Sequence, residues 1–388
     1  MCKPRGELTG KLMSTPLSGY RLIELAGIGP CPYAGMVMAD MGAEVILVCR
    51  PGGLNFPDIA HRGKRMITLD LQKPEGVAVL LDLIETADGL FEGLRPGVTE
   101  RLGIGPEDCH WVNPKLVYGR MTGWGQNGPW AKKAGHDINY IGLSGALYAM
   151  GKEGEEPPVP LNLIGDYGGG SLFLVAGMLA GLLQAEKTGK GEIVDAAMID
   201  GASSLMTLFY TLSGLGRWTP RREQNLLDGA MPYYRCYKTS DDQFMAVGCI
   251  EPQFFAQMLS LLKIDPQEFG GQNETARHAE QQTKLETIFA SKTRNVWSEI
   301  FDGSDACVTP VLSYVEAADH PQMTARGGLN PSGPFTHPRN APVFGALKPH
   351  TPPAVHMPNQ DMHAIFAELG YSEEKIKGLT DEKITPRT

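Results

Sequence analysis

At 388 residues, with 42% hydrophobic and 20% charged content, the chain is long enough for two or three domains and has the composition of a soluble globular protein, not a disordered or fibrous one. A formal net charge of −9 argues against general nucleic-acid binding, which needs a basic surface to displace phosphate counterions. Seven cysteines, odd in number, scattered and without C-x-x-C spacing, argue against a disulfide framework and against a structural metal site. Residues 1–16 lack the apolar core of a signal peptide and read as a disordered lead-in, so the expected compartment is cytoplasmic.

From Tyr20 the chain reads strand (YRLIELAG), loop (GIGPCPYAG), helix (MVMADMG) and strand (AEVILVCR), a βαβ unit. Pro30 and Pro32 interrupt the G-x-G-x-x-G fingerprint in that loop and disfavour a nicotinamide or flavin site. MITLDL then reads as a strand and PEGVAVLLDLIETA as an amphipathic helix with Pro74 in its first turn. DGLFEGL is a short strand, 94–114 supplies turns and a helix, and KLVYGRMTGWG returns as a strand. This alternation predicts an α/β fold with an open, doubly wound parallel sheet.

The stretches 171–187 and 193–212 read as long helices separated by a turn at 188–192. The uncharged run 167–185 holds five glycines and follows Asp166, so it reads as a buried helix and no membrane span is expected. The polar, basic stretch RWTPRREQ from Arg217 marks a linker. Beyond it, YYRCYKTSDDQFMAVGCI reads as a hairpin turning at Ser240 and Asp241, and EPQFFAQMLSLLKI as a helix starting at Pro252. Residues 274–314 read as helices with a short strand, which makes the second domain α+β. A Pro/Gly-rich stretch and a tail of two helices turning at Gly370 follow. The expected bounds are 17–216 for a large domain, 217–227 for a linker, 228–329 for a small domain, and 330–388 for a linker and tail.

Two titratable residues stand beside glycines. His136 lies in GHDINY, and Asp166, thirty residues on, in LNLIGDYGGGS. Glycine at these places lets a ligand approach the backbone closely. Each residue also has a plain structural use: a hydrogen-bonded histidine, and an aspartate capping a helix. Glu251, before Pro252, suits an ordinary first helical turn. Arg50, Arg62, Lys64, Arg65, Lys73, Arg95 and Arg101 make the region after Cys49 rich in cations. It reads either as a solvated positive face or as a pocket for a phosphorylated ligand.

Seven separated stretches occur in an order that identifies a family. LSGYRLIELAGIGPCPYAGMVMADMGAEVILVCRPG, HRGKRMITLDLQKPEG, GLRPGVTERLGIGPED, NPKLVYGRMTGWGQNGP, AGHDINYIGLSGAL, LNLIGDYGGG and GCIEPQFF resemble the alpha-methylacyl-CoA racemases of the family III CoA-transferase (CaiB/BaiF-type) superfamily. The resemblance covers residues 17 to about 255, with a weaker echo in the tail. It implies a Rossmann-like large domain to which the tail returns, a small domain, and an interlocked homodimer. It also implies that His136 and Asp166 transfer protons on opposite faces of the substrate α-carbon, with Glu251 of the partner subunit supporting the imidazole. The chemistry is consistent, since inverting a stereocentre beside a thioester needs one group to remove the α-proton and another to return one. The glycines after Asp166 are expected to offer N–H groups to the enolate oxygen.

For the CoA moiety the resemblance points to Arg50, to the strand Thr68, Leu69, Asp70 and Leu71, to Arg95 and Arg101, and to Gly135, Asp137, Ile138, Asn139 and Tyr140. Lys64 and Arg65 are further candidates. Met198 and Met206 are candidates for an apolar wall beside the acyl chain, or for plain core packing. No metal is expected, and no cofactor beyond the CoA that the substrate carries. Two other functions fit the same fold: a CoA-transferase with Asp166 as nucleophile, and a silent acyl-CoA-binding subunit.

Overall fold

The computed structural model describes residues 15–53, 57–344 and 355–386. Most of the expected lead-in 1–16, and 345–354 of the Pro/Gly-rich stretch, lie outside them. The chain forms two compact units, one of Met1–Ser144, Pro160–Leu205 and Thr324–Thr388, the other of Gly145–Val159 and Met206–Met323. These bounds stand beside the 216 and 329 expected from the sequence.

The first unit is built on six strands: β1 (Arg21–Leu25), β2 (Glu44–Cys49), β3 (Lys64–Thr68), β4 (Gly89–Glu92), β5 (Val117–Thr122) and β6 (Ile193–Ala197). All pair in parallel, in the order β3-β2-β1-β4-β5-β6. The order reverses between β1 and β4, and a ligand crevice forms outside the carboxyl ends of strands at such a reversal. The helices are α1 (Pro30–Asp40), α2 (Pro74–Glu85), α3 (Val98–Arg101), α4 (Pro106–Val112), α5 (Asp137–Leu143), α6 (Leu172–Thr188) and α7 (Met198–Leu205), with a π-helix over Leu163–Ser171.

Each face of the sheet is covered. On one face Ile23, Ile46 and Leu90 pack with Val79 and Leu83 of α2 and with Ile365, Phe366 and Leu379 of the tail. On the other, Leu22, Val45, Phe91 and Val117 pack with Ala34 and Met38 of α1 and Leu174 and Met178 of α6. Fully burying a side chain of this size contributes about 1.5–3 kcal/mol. The helical run Leu163–Thr188 is long and apolar enough to cross a membrane by length and composition. Within the unit it lies on β5 and β6 through its small residues, with Gly181 against Val117 and Gly177 against Val194.

Several elements depart from the sequence reading. Helix α1 starts at Pro30, not Met36, because prolines in a first turn lack only N–H groups that have no intrahelical acceptor. Strand β3 begins and ends earlier than MITLDL, in register with β2. Residues 193–212 are not one helix: Ile193–Ala197 adds β6 to β5, and only then does α7 begin. β-Branched Ile193 and Val194 suit that pleated edge. Residues Leu329–Ser332 and Phe335–Pro338 form a two-stranded hairpin that their prolines had hidden.

The second unit is α+β. Strands β7 (Tyr234–Lys238), β8 (Phe244–Gly248) and β9 (Val308–Val311) form an antiparallel sheet in that order, and β7–β8 is the expected hairpin. Helices α8 (Thr207–Gly214) and α9 (Pro252–Leu261) precede and follow that hairpin, and two more span His278–Phe289 and Arg294–Phe301. Tyr237 stacks on Phe289 at 5.0 Å between ring centroids, within a core that includes Met245, Phe269 and Trp297.

Candidate active site

His136 and Asp166 line one cavity of about 460 Å³. Its walls come from the residues after β1 (Ile28, Gly29, Pro30), after β4 (93–96) and at the end of β5 (122–124), so it occupies the crevice at the strand-order reversal.

Asp166 lies in the first turn of the π-helix. Its N–H donates to Asp137 Oδ2 at 2.7 Å, and Asn162 Nδ2 donates to its Oδ2 at 3.4 Å. Across from it is Gly29, with φ 72° and ψ −116°, where a Cβ would stand 3.0 Å from Asp166 Oδ2. Burial pushes the Asp166 carboxyl above the usual range; the negative charge of Asp137 adds to this, while Asn162 and His136 oppose it. A carboxyl shifted upward is better matched to proton transfer near neutral pH.

Asp166 is therefore not the side-chain N-cap the sequence suggested, since Asn162 holds that position and no side chain caps it. The following glycines also serve differently from expectation. In a π-helix each N–H reaches the carbonyl five residues back, which uses the N–H groups of 168–170. These glycines instead allow α7 to pack backbone on backbone: Gly201 lies against Gly169, where a Cβ would meet Ala202 N at 2.7 Å. The enolate donors expected from that run are not available there.

His136 is the N-cap of α5 and is exposed. Its N–H donates to Asn139 Oδ1 at 3.0 Å and its carbonyl accepts Asn139 N–H at 2.8 Å, which fixes the backbone under the imidazole. The Tyr140 hydroxyl donates to the Gly135 carbonyl, and a Cβ on Gly135 would meet the Tyr140 ring at 2.7 Å. Tyr140 meets Trp124 edge-on at 4.8 Å, and Trp124 meets Trp130 at 5.0 Å. Lys133 Nζ sits 3.9 Å over the Trp130 ring. Asp137 is buried; its Oδ1 has no hydrogen-bond partner among the described residues and its Oδ2 holds Asp166. Ile138 and Asn139 are exposed and do not line this cavity.

Of the residues expected at CoA, Gly135, Tyr140 and Arg95 line the cavity of His136 and Asp166. Arg50, Leu69, Asp70 and Leu71 line a second one of about 640 Å³ with Leu25 and Val48. Leu94 lines both, so the two adjoin. Thr68 lines a third, of about 550 Å³, again with Arg50. Arg101 donates to the Gly97 carbonyl at 2.8 Å and lines none of the three. The N–H groups of the strand edge are taken: Thr68 donates to Asn359 Oδ1 at 2.8 Å, Leu69 to the Cys49 carbonyl at 2.9 Å and Asp70 to the Ile384 carbonyl at 2.8 Å.

Three of the cations are structural. Lys64 is fully buried, with Nζ 2.6 Å from Glu24 Oε2 and 2.9 Å from the Pro32 carbonyl. Arg62 pairs with Asp40 at 2.5 Å, and Arg65 with Glu44 and with Glu368 at 2.8 Å. They form neither a solvated face nor a phosphate pocket. Glu251 belongs to the second unit, exposed at the N-cap of α9. Met198 lines the His136 cavity; Met206 belongs to the second unit, beside Tyr148 and Trp218. Sequence reasoning missed Gly29, Leu94, Asn162 and Trp124. Of these only Gly29, in a Gly/Pro loop directly after a strand, carried a signal.

The family model described as CoA-transferase family III matches residues 17–359. The chain is 43% identical over 373 residues to the alpha-methylacyl-CoA racemase of Mus musculus, covering 95% of this chain and 97% of that one. Against the alpha-methylacyl-CoA racemase of Homo sapiens it is 41% identical, over the same shares. Among solved structures, a CAIB/BAIF family protein from Brucella suis superposes with a TM-score of 0.79 at 26% identity, covering 92% of this chain and 99% of that one. Rv3272 from M. tuberculosis superposes with a TM-score of 0.73 at 26% identity, over 87% and 96%.

Proposed function

The chain belongs to CoA-transferase family III, and from that premise we propose that it is an isomerase, an alpha-methylacyl-CoA racemase interconverting (2R)- and (2S)-2-methylacyl-CoA thioesters. The observation that carries the proposal is that His136 and Asp166 line one cavity at the sheet's switch point. The similarity to two proteins named alpha-methylacyl-CoA racemase supports it.

In this reading the α-carbon lies between the two side chains. One removes the proton, the electron pair moves onto the thioester oxygen as an enolate, and the other returns a proton to the opposite face. The exposed imidazole suits exchange of its proton with water, and the raised carboxyl of Asp166 suits the same task on the other side. The two adjoining cavities that meet at Leu94 would hold the CoA, with Arg50 and Arg95 beside its phosphates. The reaction needs no cofactor beyond the CoA the substrate carries. We further propose a cytoplasmic homodimer in which Glu251 of the partner subunit orients the imidazole.

A second reading, CoA transfer with Asp166 as nucleophile, is supported by the family description and by 28% identity to the succinyl-CoA:glutarate CoA-transferase of Mus musculus. One experiment separates them: a single-enantiomer 2-methylacyl-CoA incubated with the protein in heavy water, without any acceptor acid. α-Proton exchange with racemisation supports the racemase. Inertness until a free carboxylic acid is added supports the transferase, and inertness in both conditions a silent subunit.

A further inference from the structure

β4 and β5 carry a cross-strand pair that the proton transfers above do not use. Glu92 is the last residue of β4, and Arg120 stands opposite it on β5. Glu92 is fully buried and Arg120 nearly so. Glu92 Oε2 accepts the Leu94 N–H at 2.5 Å, and its Oε1 accepts from Arg120 Nε at 3.4 Å. The far end of the guanidinium reaches α3, with Nη1 2.8 Å from Glu100 Oε1 and Nη2 3.4 Å from Oγ1 of the buried Thr99.

These contacts bracket one loop. Residues 93–97 leave β4 at Glu92 and enter α3 at Val98, so Arg120 ties the start of the loop to its end. Gly93, Leu94, Arg95 and Pro96 line the cavity of His136 and Asp166, and Leu94 lines the adjoining one as well. The loop is wedged against α1 where it begins, since a Cβ on Gly93 would stand 3.1 Å from Cys31 Sγ. From its middle the charge of Arg95 reaches Tyr140: burial and Asp166 push that hydroxyl up, and Arg95 opposes them.

Both oxygens of Glu92 face donors, so a proton on either has no acceptor there and displaces one of the two contacts. We propose that Glu92 is a positioning residue: its carboxylate, held across the strands by Arg120, fixes Leu94 and Arg95 in the wall that receives the acyl-CoA. The proposal rests on the acyl-CoA reading above and adds to it control of binding by a proton outside the cavity. Burial pushes Glu92 up to about 7; the Leu94 N–H and Arg120 oppose the rise, and Glu100 adds to it. One guanidinium thus serves two carboxylates. The other titratable groups around Glu92 are Tyr118 on β5 and Cys31 on α1, both raised by burial and neutral at that pH, and the Glu24–Lys64 pair on the β1 side.

Calorimetric titration of the full chain with a 2-methylacyl-CoA, from pH 6 to pH 8, tests it. A carboxyl that titrates near 7 is about 10% ionised at the lower pH and about 90% at the higher. Glu92→Gln keeps an oxygen for the Leu94 N–H but never ionises. It is expected to match wild type near pH 6 and to bind about tenfold more weakly at pH 8. Taking the ratio at each pH cancels the titration of the ligand's own phosphate. Glu100→Gln, an exposed change on α3, leaves Arg120 to Glu92 alone and is expected to move the midpoint of the wild-type profile to lower pH. Parallel profiles for wild type and Glu92→Gln, or an unmoved midpoint in Glu100→Gln, overturn the proposal. α-Proton exchange measured alongside separates the two claims. The predicted binding profiles without exchange sink the racemase and leave the role of Glu92 standing, and exchange with parallel profiles does the reverse. Failure of wild type to bind the thioester at all sinks both.

Discussion

Replacing Gly29 by alanine perturbs the site through a single methyl group. The residue holds φ 72° and ψ −116°, a region that costs an L-residue about 1–3 kcal/mol, so some stability is lost wherever the methyl points. Here it points at the carboxyl of Asp166, the proposed proton-transfer group, 3.0 Å from its Oδ2 and 3.6 Å from its Cγ. Relieving that contact moves the carboxylate by a few tenths of an ångström, and the 3.4 Å hydrogen bond from Asn162 is the one that yields. If a displacement near 1 Å costs about a hundredfold in rate, one of half that size costs about tenfold. Gly19→Ala is the control, with φ 92° and nothing within 4 Å of its Cβ. Denaturation is expected to show comparable stability losses for both variants. Proton exchange at saturating thioester is expected to slow only in Gly29→Ala, by about tenfold. An unchanged rate in folded Gly29→Ala, or an equal loss in Gly19→Ala, would refute the reasoning.

Three other perturbations test neighbouring parts of the account. Asp137→Asn keeps an oxygen for the Asp166 N–H but removes the like charge that helps raise Asp166, so the acid limb of the exchange-rate profile should move to lower pH; an unmoved limb contradicts it. Burial pushes Glu92 up to about 7, so its contribution to stability is present below about pH 4.5 and lost as pH rises through about 7. Relative to Glu92→Gln, wild type should therefore lose of the order of 3 kcal/mol across that window in pH-dependent denaturation, and parallel curves would contradict this. Lys64→Met strands Glu24 in the core and should cost about 3–5 kcal/mol, most of it regained when Glu24→Leu is added; a loss below about 1 kcal/mol in urea titration would show the pair to be dispensable.

Much of the fold was legible because the first five strands and α2 carry their own periodicity. Parallel β2 is a near-continuous apolar run after Glu44, as doubly buried strands are, and β1 is apolar apart from Arg21 and Glu24, the latter buried as the partner of Lys64. β6 was hidden because IVDAAMIDGASSL has a helical spacing of apolar residues, and only pairing with β5 assigns its first five to the sheet. His136 and Asp166 stood out as titratable residues among glycines, and both reach the cavity. What those glycines do was not legible. The run 168–170 faces α7 rather than a ligand, and Gly29, 137 residues before Asp166, touches it only through the fold. The basic stretch misled for a related reason: Lys64 and Arg65 find their carboxylates at Glu24, Glu44 and Glu368, partners no local window contains.

The central claim is that His136 and Asp166 each serve one face of the α-carbon. The most direct test follows solvent deuterium entering each enantiomer separately, in His136→Gln and in Asp166→Asn. The account predicts that neither variant racemises, and that each still exchanges the proton of one enantiomer only, with retention, the two variants choosing opposite enantiomers. Racemisation at the wild-type rate in either variant, or exchange of the same enantiomer in both, would contradict it.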